Sequence, residues 1–596
     1  MAAWMGDGMR REAASLGPEA SPGADPASAP DPASAPDPAS APDPASAPDP
    51  ASAPAPASAP DPASAPAPAS APDPASAGLR LAPAPGLRTM SGGTVLLGGS
   101  PYRLLRLGPA TARQVAAWWA GAPVPDSPGA QALARRLLAA GLARPVPAGG
   151  PGPDQVTVVV PVRDRAGELA RCLAGLRGHR VIVVDDGSRD PVAVEAAATA
   201  AGAHCLHRGL NGGPAAARNT GLAAVHTPLV AFLDSDCVPG PGWLDRVLPH
   251  FADPVVAAVA PRIVPYVQGP RPAAGRGPEP RGTESAATGP GSGNPRGNGT
   301  GEPPRPGWLA RYEGASSTLD MGPVASIVRP GAAVPYVPGA ALVVRTEAAG
   351  TGFAPDMPVG EDVDFVWRLA ARGWHVRYEP AAVMAHQHRV RLRGWFARRV
   401  DYGTSAAPLE LRHPGTVPAA SMSGWTAAAW LAAAAGHPAA GAGITAAATA
   451  LLARRLAPYT DEAWPLAGRL AAGGTVAAGR LLGSAVSRAW WPLAVPAAVA
   501  APRLRVPLAA LVLAPPALGW LERRPPLDPA RYVAARLLDD VAYSIGVWRG
   551  CLAHRTARPL LPRLWWRSGP GDGGPHARGT RPPGPRAGRE FSARGG

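Results

Sequence analysis

Two short apolar runs, each closed by paired acids, constrain this chain more than any other feature. Val181 to Val184 runs into Asp185-Asp186-Gly187-Ser188, and Leu229 to Leu233 runs into Asp234-Ser235-Asp236-Cys237. Short apolar runs of this kind read as buried parallel strands, and open α/β sheets gather ligands at the carboxyl ends of such strands. Two strands ending this way aim two carboxylate pairs at one crevice. Acids so crowded repel unless a cation sits among them. Mg²⁺ or Mn²⁺ carrying a nucleotide diphosphate suits the place, because these ions take one or two carboxylates and fill their remaining positions with phosphate and water. For either motif alone, the plainer alternative is a solvated strand-end turn.

A chain of 596 residues has room for two or three domains and a sizeable core. Its formal charge of +15 does not mark a nucleic-acid binder. All 58 Lys and Arg positions are arginine, many in the tail and in Gly/Pro-rich stretches, and no nucleic-acid motif accompanies them. Cys172, Cys205, Cys237 and Cys551 are scattered without metal-ligand spacing and read as free thiols of a reducing cytoplasm. Arg10 and Arg11 are not followed by an apolar core, so no signal peptide is expected.

Residues 1–78 are dominated by Ala-Ser-Ala-Pro-Asp-Pro repeats. Frequent proline and the lack of large apolar side chains predict an extended, disordered segment without chemistry. Residues 79–150 change texture. Thr94-Val95-Leu96-Leu97 and Tyr102-Arg103-Leu104-Leu105, joined by a Gly-Gly-Ser-Pro turn, predict a hairpin. Thr111 is placed to cap a helix carrying Val115 and Trp118-Trp119, and Ala130 to Ala140 predicts another, stopped by Gly141.

The core domain, 151–410, opens with the strand Val156 to Val162 and Arg163, then a helix with Leu169, Leu173 and Leu176 on one face, then Val181 to Val184. That is a βαβ unit. Asn211-Gly212-Gly213-Pro214 opens a helix bearing Arg218, whose N-terminus suits anions. It lacks the Walker pattern, which excludes a P-loop kinase. Gln268 to Pro306 has no apolar period and reads as a disordered insertion. Beyond it stand Tyr336-Val337-Pro338-Gly339-Ala340-Ala341-Leu342, the acidic helix start Gly360-Glu361-Asp362-Val363-Asp364-Phe365, a strand His375 to Tyr378, and Ala385-His386-Gln387-His388.

The order Pro-Val-Arg, Asp-Asp-Gly-Ser, Gly-Pro-Ala-Ala-Ala-Arg-Asn, Asp-Ser-Asp and Gly-Glu-Asp-Val-Asp-Phe resembles the family 2 glycosyltransferases, from about Val156 to Tyr402. The resemblance implies a GT-A, Rossmann-like α/β fold. Within that family, the N-terminal prefix, the Tyr-Val-Pro-Gly-Ala-Ala-Leu segment and the Glu-Asp-Val-Asp context are most like the mycofactocin-system glycosyltransferases. The prefix itself is similar in texture to the small winged-helix PqqD-like module, which holds precursor peptides; the alternative is a structural prefix.

The resemblance also implies roles. Asp236 would hold the metal, with Asp234 near ribose and metal and His386 a further ligand; His386 as a satisfied surface histidine stays open. Asp186, helped by Asp185 and by the Pro161–Arg163 turn, would contact the nucleotide base, and Arg218 the diphosphate, where a guanidinium matches two oxygens. Asp362 matches the base that takes the acceptor hydroxyl's proton, with Glu361 and Asp364 raising its pKa. Asp364 as a mere helix-start carboxylate, and Glu361 as an orienting neighbour, stay open. Arg398-Arg399 only partly echoes the Gln-x-x-Arg-Trp signature of processive synthases.

Residues 411–570 are Ala/Leu-rich and read as helical, before a disordered tail at 571–596. Crossing a bilayer core of roughly 30 Å takes about 20 apolar residues. Trp425 to Ala453 is long enough but contains His437 and Pro438, and later runs are broken by proline. Helices packing on the catalytic domain or lying at a membrane surface are favoured over spans. The expected activity is inverting transfer of a hexose, glucose by resemblance, from a nucleotide-diphosphate sugar such as UDP-glucose. The expected acceptor is a peptide-derived small molecule, with a precursor peptide as a further expected partner. The alternatives are a cell-envelope transferase working on a polyprenyl-linked or polysaccharide acceptor, and a peptide-binding scaffold with a degenerate transferase domain.

Overall fold

The computed structural model describes residues 79–147, 149–266, 307–388 and 390–565. The repeat at 1–78, the insertion at 268–306 and the tail at 571–596 lie outside the described residues.

The first unit pairs β1 (Arg80–Pro83) with β5 (Ala143–Val146) and sets β2 (Arg88–Met90), β3 (Val95–Gly98) and β4 (Arg103–Arg106) in an antiparallel sheet. Leu96 stands opposite Leu105 in the β3–β4 hairpin. Helices α1 (Pro109–Trp119) and α2 (Pro128–Ala139) lie between β4 and β5. Gly108 and not Thr111 precedes α1. Pro109 explains the earlier start, since its fixed φ and missing N–H suit a first helical turn. The alternation of β3 splits its side chains between two cores. Leu96 joins Leu105, Trp118 and Leu137 inside the unit. Val95, Leu97 and Leu104 face outward and pack with Leu452, Leu456 and Leu466 of the C-terminal helices.

The central sheet begins with β6 (Val156–Val162), α3 (Ala166–Ala174), β7 (Arg180–Asp185), α4 (Pro191–Ala200), β8 (His204–His207), α5 (Gly213–Ala223) and β9 (Leu229–Leu233). It continues with β10 (Cys237–Pro239), α6 (Trp243–Val247), β11 (Val256–Pro265), α7 (Trp308–Ser316), β12 (Ser326–Ile327), β13 (Ala341–Arg345) and α8 (Thr346–Ala349). Helix α9 (Glu361–Ala371) and β14 (His375–His386) complete it. The strand order is β10-β14-β11-β13-β9-β6-β7-β8, with β12 beside β14. The half β9-β6-β7-β8 is parallel, and β13 joins it antiparallel to β9. The chain moves outward from β6 through β7 to β8, then returns to the other side of β6 as β9. That reversal opens a crevice beyond the carboxyl ends of β6 and β9. Helix α5 makes the return and lies close on the sheet, because Gly221 meets Val159 where any Cβ would collide. Apolar cores fill both faces of the sheet, as the unbroken strand runs require.

Strand β14 is longer than its sequence suggested, running on to His386. Its last turns pair with β10, which sets His386 opposite Cys237. Helices α10 (Leu392–Thr404) and α11 (Ala406–Arg412) then lead through β15 (Ser421–Ser423) into the C-terminal region.

That region consists of α12 (Gly424–Ala434), α13 (Pro438–Leu456), α14 (Ala463–Ala485), a π-helical turn (Val486–Trp490), α15 (Trp491–Ala500), α16 (Arg505–Arg523), α17 (Pro529–Ala553) and β16 (Arg563–Trp565). The long apolar run Trp425 to Ala453 is therefore a helical hairpin. Gly436, at φ +89°, turns the chain before Pro438, and Gly441 lets α13 approach the Ala429 carbonyl. One stretch among the described residues, Pro502–Arg523, is long and apolar enough to cross a membrane, at a mean hydropathy of 1.5 and 6% burial.

Candidate active site

The carboxyl ends of β6 and β9, the start of α5 and the start of α9 enclose a cleft of about 1330 Å³. Pro161, Arg163, Asp186, Arg218, Asp234, Asp236, Glu361, Asp362 and His386 all line it. The fold thus brings together nine of the residues expected from sequence.

On the β9 side, Asp236 receives a hydrogen bond from Arg165 Nη1 at 2.6 Å and lies 3.2 Å from His386 Nε2. Burial disfavours its charge, but His386 and Arg165 outweigh that and hold the carboxyl down to about 2. The His386 ring is buried too, which opposes its protonation, yet Asp236 raises its pKa above the ordinary value. Its Nδ1 has no hydrogen-bond partner. Asp234 is held by Arg218 Nη2 at 2.8 Å.

Asp236, Cys237 and His386 offer ligand atoms within 4.8 Å of one another. The donors fit a hard or borderline divalent cation. Carboxylate oxygen and imidazole suit Mn²⁺ or Mg²⁺. The Cys237 thiol is buried against the Ala340 carbonyl at 3.4 Å, and burial reinforced by Asp234 and Asp236 pushes its pKa well up. It is a poor partner for such an ion. Arg165 and Arg218 supply positive charge to the two aspartates directly.

The opposite wall is the first turn of α9. Gly360, at φ +84°, begins the helix, and a Cβ there would stand 2.8 Å from Ser405 Cβ. Asp362 Oδ2 accepts the Gly339 N–H at 2.7 Å, and Oδ1 accepts the Val363 N–H at 2.8 Å. Glu361 lies beside it in the same turn, largely buried. Burial, with help from Asp362, pushes it to about 7, against the pull of Arg218. Asp364 belongs to a different environment. It is 1% exposed and turned into the fold, where Arg368 Nε at 2.8 Å and His413 Nε2 at 2.9 Å bind it. Burial is outweighed there and its pKa falls. It faces away from Asp362 because residues two apart on a helix point to different sides.

Arg218 differs from its expected place on a diphosphate. It is 4% exposed, with Nη1 2.7 Å from Glu361 and Nη2 on Asp234 and the Gly339 carbonyl. The buried guanidinium ties the two walls together through Asp234 and Glu361. Asp186 is likewise engaged, accepting the N–H groups of Gly212 at 3.0 Å and Gly213 at 2.8 Å. It fixes the loop that opens α5. Asp185 is absent from the cleft lining. Its carboxylate accepts from Ser188 N at 3.0 Å and meets His207 Nδ1 at 3.1 Å on the far side of β7. Successive strand residues point to opposite faces, so Asp185 and Asp186 cannot share one. Arg399, read beside the processive signature, is buried between Glu313 at 2.6 Å and Asp539 at 3.0 Å.

Sequence reasoning missed Arg165, Gly339, Tyr336, Arg488 and Tyr543. Arg165 follows the recognised Pro-Val-Arg strand end, and Gly339 stands in a segment that was singled out without a role. Arg488 and Tyr543 gave no signal, since nothing local tells that distant helices close this cleft.

Residues 157–294 match the family model described as Glycosyl transferase family 2. The chain is 40% identical over 498 residues to the pre-mycofactocin glycosyltransferase of Mycobacterium tuberculosis, in strains H37Rv and CDC 1551 alike, covering 80% of this chain and 96% of that protein. It is 35% identical over 103 residues to the succinoglycan biosynthesis protein ExoU of Rhizobium meliloti, covering 16% of this chain and 30% of that one. Among solved structures, a mannosyltransferase from Pyrobaculum calidifontis in complex with GDP-Man and Mn²⁺ matches 63% of this chain and 91% of its own, at 19% identity and a TM-score of 0.30.

Proposed function

The chain belongs to the family 2 glycosyltransferases, and from that premise we propose an inverting, metal-dependent transfer of glucose from UDP-glucose to a hydroxyl of a peptide-derived small molecule, in mycofactocin maturation. One observation carries the reading: Asp234 and Asp236 at the end of β9 share a cleft with Asp362, which sits on the facing helix. The pre-mycofactocin relative supports the acceptor class.

In this reading the donor's diphosphate lies toward Asp236 and His386, with the nucleoside along Pro161, Arg163 and Asp186. Asp236, Asp234 and His386 would hold a divalent cation, which would supply Lewis-acid stabilisation to the leaving diphosphate. Asp362 accepts the proton of the acceptor hydroxyl as that oxygen bonds to the anomeric carbon from the side opposite the departing group, so configuration inverts. The Gly339 and Val363 N–H groups each hold one carboxylate oxygen of Asp362 and so fix the carboxylate at the cleft. Arg218 keeps Asp234 and Glu361 at fixed separation, which is preorganisation of the kind that transition-state stabilisation requires. Residues 79–150 are proposed as the PqqD-like module and the cytoplasm as the place of action.

The reading is tested by following glucose transfer from UDP-glucose to the peptide-derived acceptor with Mn²⁺. Absence of transfer, with transfer from another nucleotide sugar, would replace the donor; an α-configured product from the α-configured donor would overturn inversion.

A second reading has its own support. Leu493, Val495, Val499, Val506, Leu513 and Leu521 are exposed along α15 and α16, and Arg503, Arg505, Arg523 and Arg524 flank the apolar stretch. This suits a membrane surface with anionic lipids and would bring the enzyme to a polyprenyl-linked acceptor. Flotation with phosphatidylglycerol vesicles tests it.

A further inference from the structure

A second group of ionisable and sulfur-bearing side chains lies outside the cleft, at the β8 end of the sheet. Cys205 and His207 stand two apart on β8, so their side chains leave the strand on the same face. Leu206 between them packs into the core on one side of the sheet, and Cys205 packs against the core on the other. Helix α4 covers that second side. Its Val194 and Ala198 are buried there, and Glu195, next to Val194, reaches the end strand.

Glu195, Cys205 and His207 thereby offer a carboxylate oxygen, a sulfur and an imidazole nitrogen within 4.8 Å of one another. Glu195 Oε2 is 2.6 Å from His207 Nε2. A fourth residue aims the ring. Strands β7 and β8 pair in parallel with Asp185 opposite His207, and Asp185 Oδ2 lies 3.1 Å from His207 Nδ1. Asp185 is 1% exposed and its other oxygen accepts the Ser188 N–H at 3.0 Å, so the carboxylate is fixed. A carboxylate on one ring nitrogen sets the tautomer and raises the basicity of the other, the usual support of a metal-binding histidine.

Hydrogen bonding alone uses these groups incompletely. Both ring nitrogens face carboxylates, and a neutral ring has one N–H to give. Only the imidazolium form satisfies both. A cation on Nε2 takes over the role of that second proton and recruits the sulfur as well, while Nδ1 keeps its proton for Asp185. Burial first, and then Glu195, push the Cys205 thiol up to about 12, and a coordinating cation displaces such a proton outright.

The donor set also chooses the cation. Sulfur and imidazole select against Mg²⁺, Mn²⁺ and Ca²⁺ and suit Zn²⁺, which takes Cys, His and Glu ligands in tetrahedral sites. The chain supplies three of the four. An open hollow of about 1140 Å³, lined by Glu195, Thr199 and His207 among others, adjoins them and leaves room for water at the fourth position.

We propose that Glu195, Cys205 and His207 form a Zn²⁺ site separate from the cleft, with Asp185 orienting His207. The ion ties helix α4 to the end strand of the sheet. It differs in class from the cation at Asp236, where the neighbouring thiol is turned to the Ala340 carbonyl.

The test is titration of the full-length protein, freed of metal by EDTA and dialysis, with Co²⁺. Cobalt stands in for zinc, and its bond to a thiolate gives a charge-transfer band in the near ultraviolet. The band should appear in the wild type, and Zn²⁺, the tighter binder, should remove it. Cys205→Ser should abolish it. Asp236→Asn, which disables the other cysteine-containing cluster, should leave it as in the wild type. His207→Gln should weaken Zn²⁺ binding by about 100-fold or more, at least the upper end of what losing an outer partner costs. Glu195→Gln, on the exposed face of α4, should keep the band and weaken Zn²⁺ binding by about tenfold or more. It decides the matter if Cys205→Ser or His207→Gln fails to fold. Absence of the band, a band that survives Cys205→Ser or disappears in Asp236→Asn, or unaltered Zn²⁺ affinity in folded Glu195→Gln overturns the proposal.

Discussion

Gly339 donates its backbone N–H to Asp362 at 2.7 Å, and a Cβ on Gly339 would stand 2.9 Å from Asp362 Cβ. The carboxylate is held by a residue that must lack a side chain. Gly339→Ala should push Asp362 and the neighbouring Arg218 outward, since both are within reach of the added methyl. A misplacement of roughly 1 Å costs on the order of 10²-fold in turnover. Steady-state kinetics should show that loss mainly in kcat, with the KM for UDP-glucose little changed. Near wild-type kcat in a folded Gly339→Ala protein would remove the positioning role.

The metal is tested at Asp236. EDTA should abolish transfer and Mn²⁺ should restore it in the wild type. Asp236→Asn keeps the shape but loses the charge that Arg165 and His386 now share. It should lose about 10²-fold or more in kcat, the scale of removing one electrostatic partner of the transition state, and Mn²⁺ should not restore it. Manganese binding followed by electron paramagnetic resonance gives a readout apart from turnover. Full Mn²⁺ affinity in Asp236→Asn would move the site elsewhere.

The strands and their acidic ends were legible because a fully buried strand must be apolar and can carry acids only where it leaves the sheet, as Val181–Asp186 and Leu229–Asp236 do. Which of two adjacent acids faces the cleft was not legible. Asp185 and Asp186 differ only in strand face, and the face depends on where pairing with β6 and β8 begins. Nor did the sequence disclose that Arg218 would be satisfied by Glu361 and Asp234. Those acids come from elements 143 and 16 residues away, and a pairing over such separations is decided by packing. The helical hairpin at Gly436 was hinted at by Pro438, but the docking of α17 through Gly403 and Gly546 had no local signature.

The two acids of the α9 turn should separate by pH and by substitution. Asp362→Asn cannot accept the acceptor's proton, and kcat should fall by roughly 10²–10⁴-fold, the usual scale for loss of a general base. Glu361→Gln should cost less in turnover and show itself in stability. The folded-state pKa of Glu361 is raised from 4.5 to about 7. A raised folded pKa gives a contribution that is complete below the unfolded value and is lost as pH climbs through the folded one. Wild-type melting temperature should therefore fall relative to Glu361→Gln between pH 4.5 and about 7, and the two curves should run parallel beyond that window. A constant offset across the window, or Glu361→Gln more damaging to kcat than Asp362→Asn, would reverse these assignments.

The last prediction concerns the attachment of the N-terminal unit. Leu97 of β3 is 1% exposed and Leu456 of α13 is fully buried, and both belong to one apolar cluster, beside which Ser91 Oγ donates to the Tyr459 carbonyl at 2.7 Å. If the unit were tethered but undocked, Leu97 and Leu456 would contribute to separate cores and their losses would add. In a shared core they do not add, because each truncation loosens the packing that the other depends on. Leu97→Ala and Leu456→Ala should each cost about 2–5 kcal/mol in denaturant unfolding, the range for a buried leucine. The double variant should depart from additivity by about 0.5 kcal/mol or more. Strict additivity would show that residues 79–147 fold apart from the C-terminal helices. A measured coupling would mean that deleting the unit uncovers Leu452, Leu456 and Leu466, so that lowered stability must be separated from any loss of acceptor recognition before the unit is credited with binding a peptide.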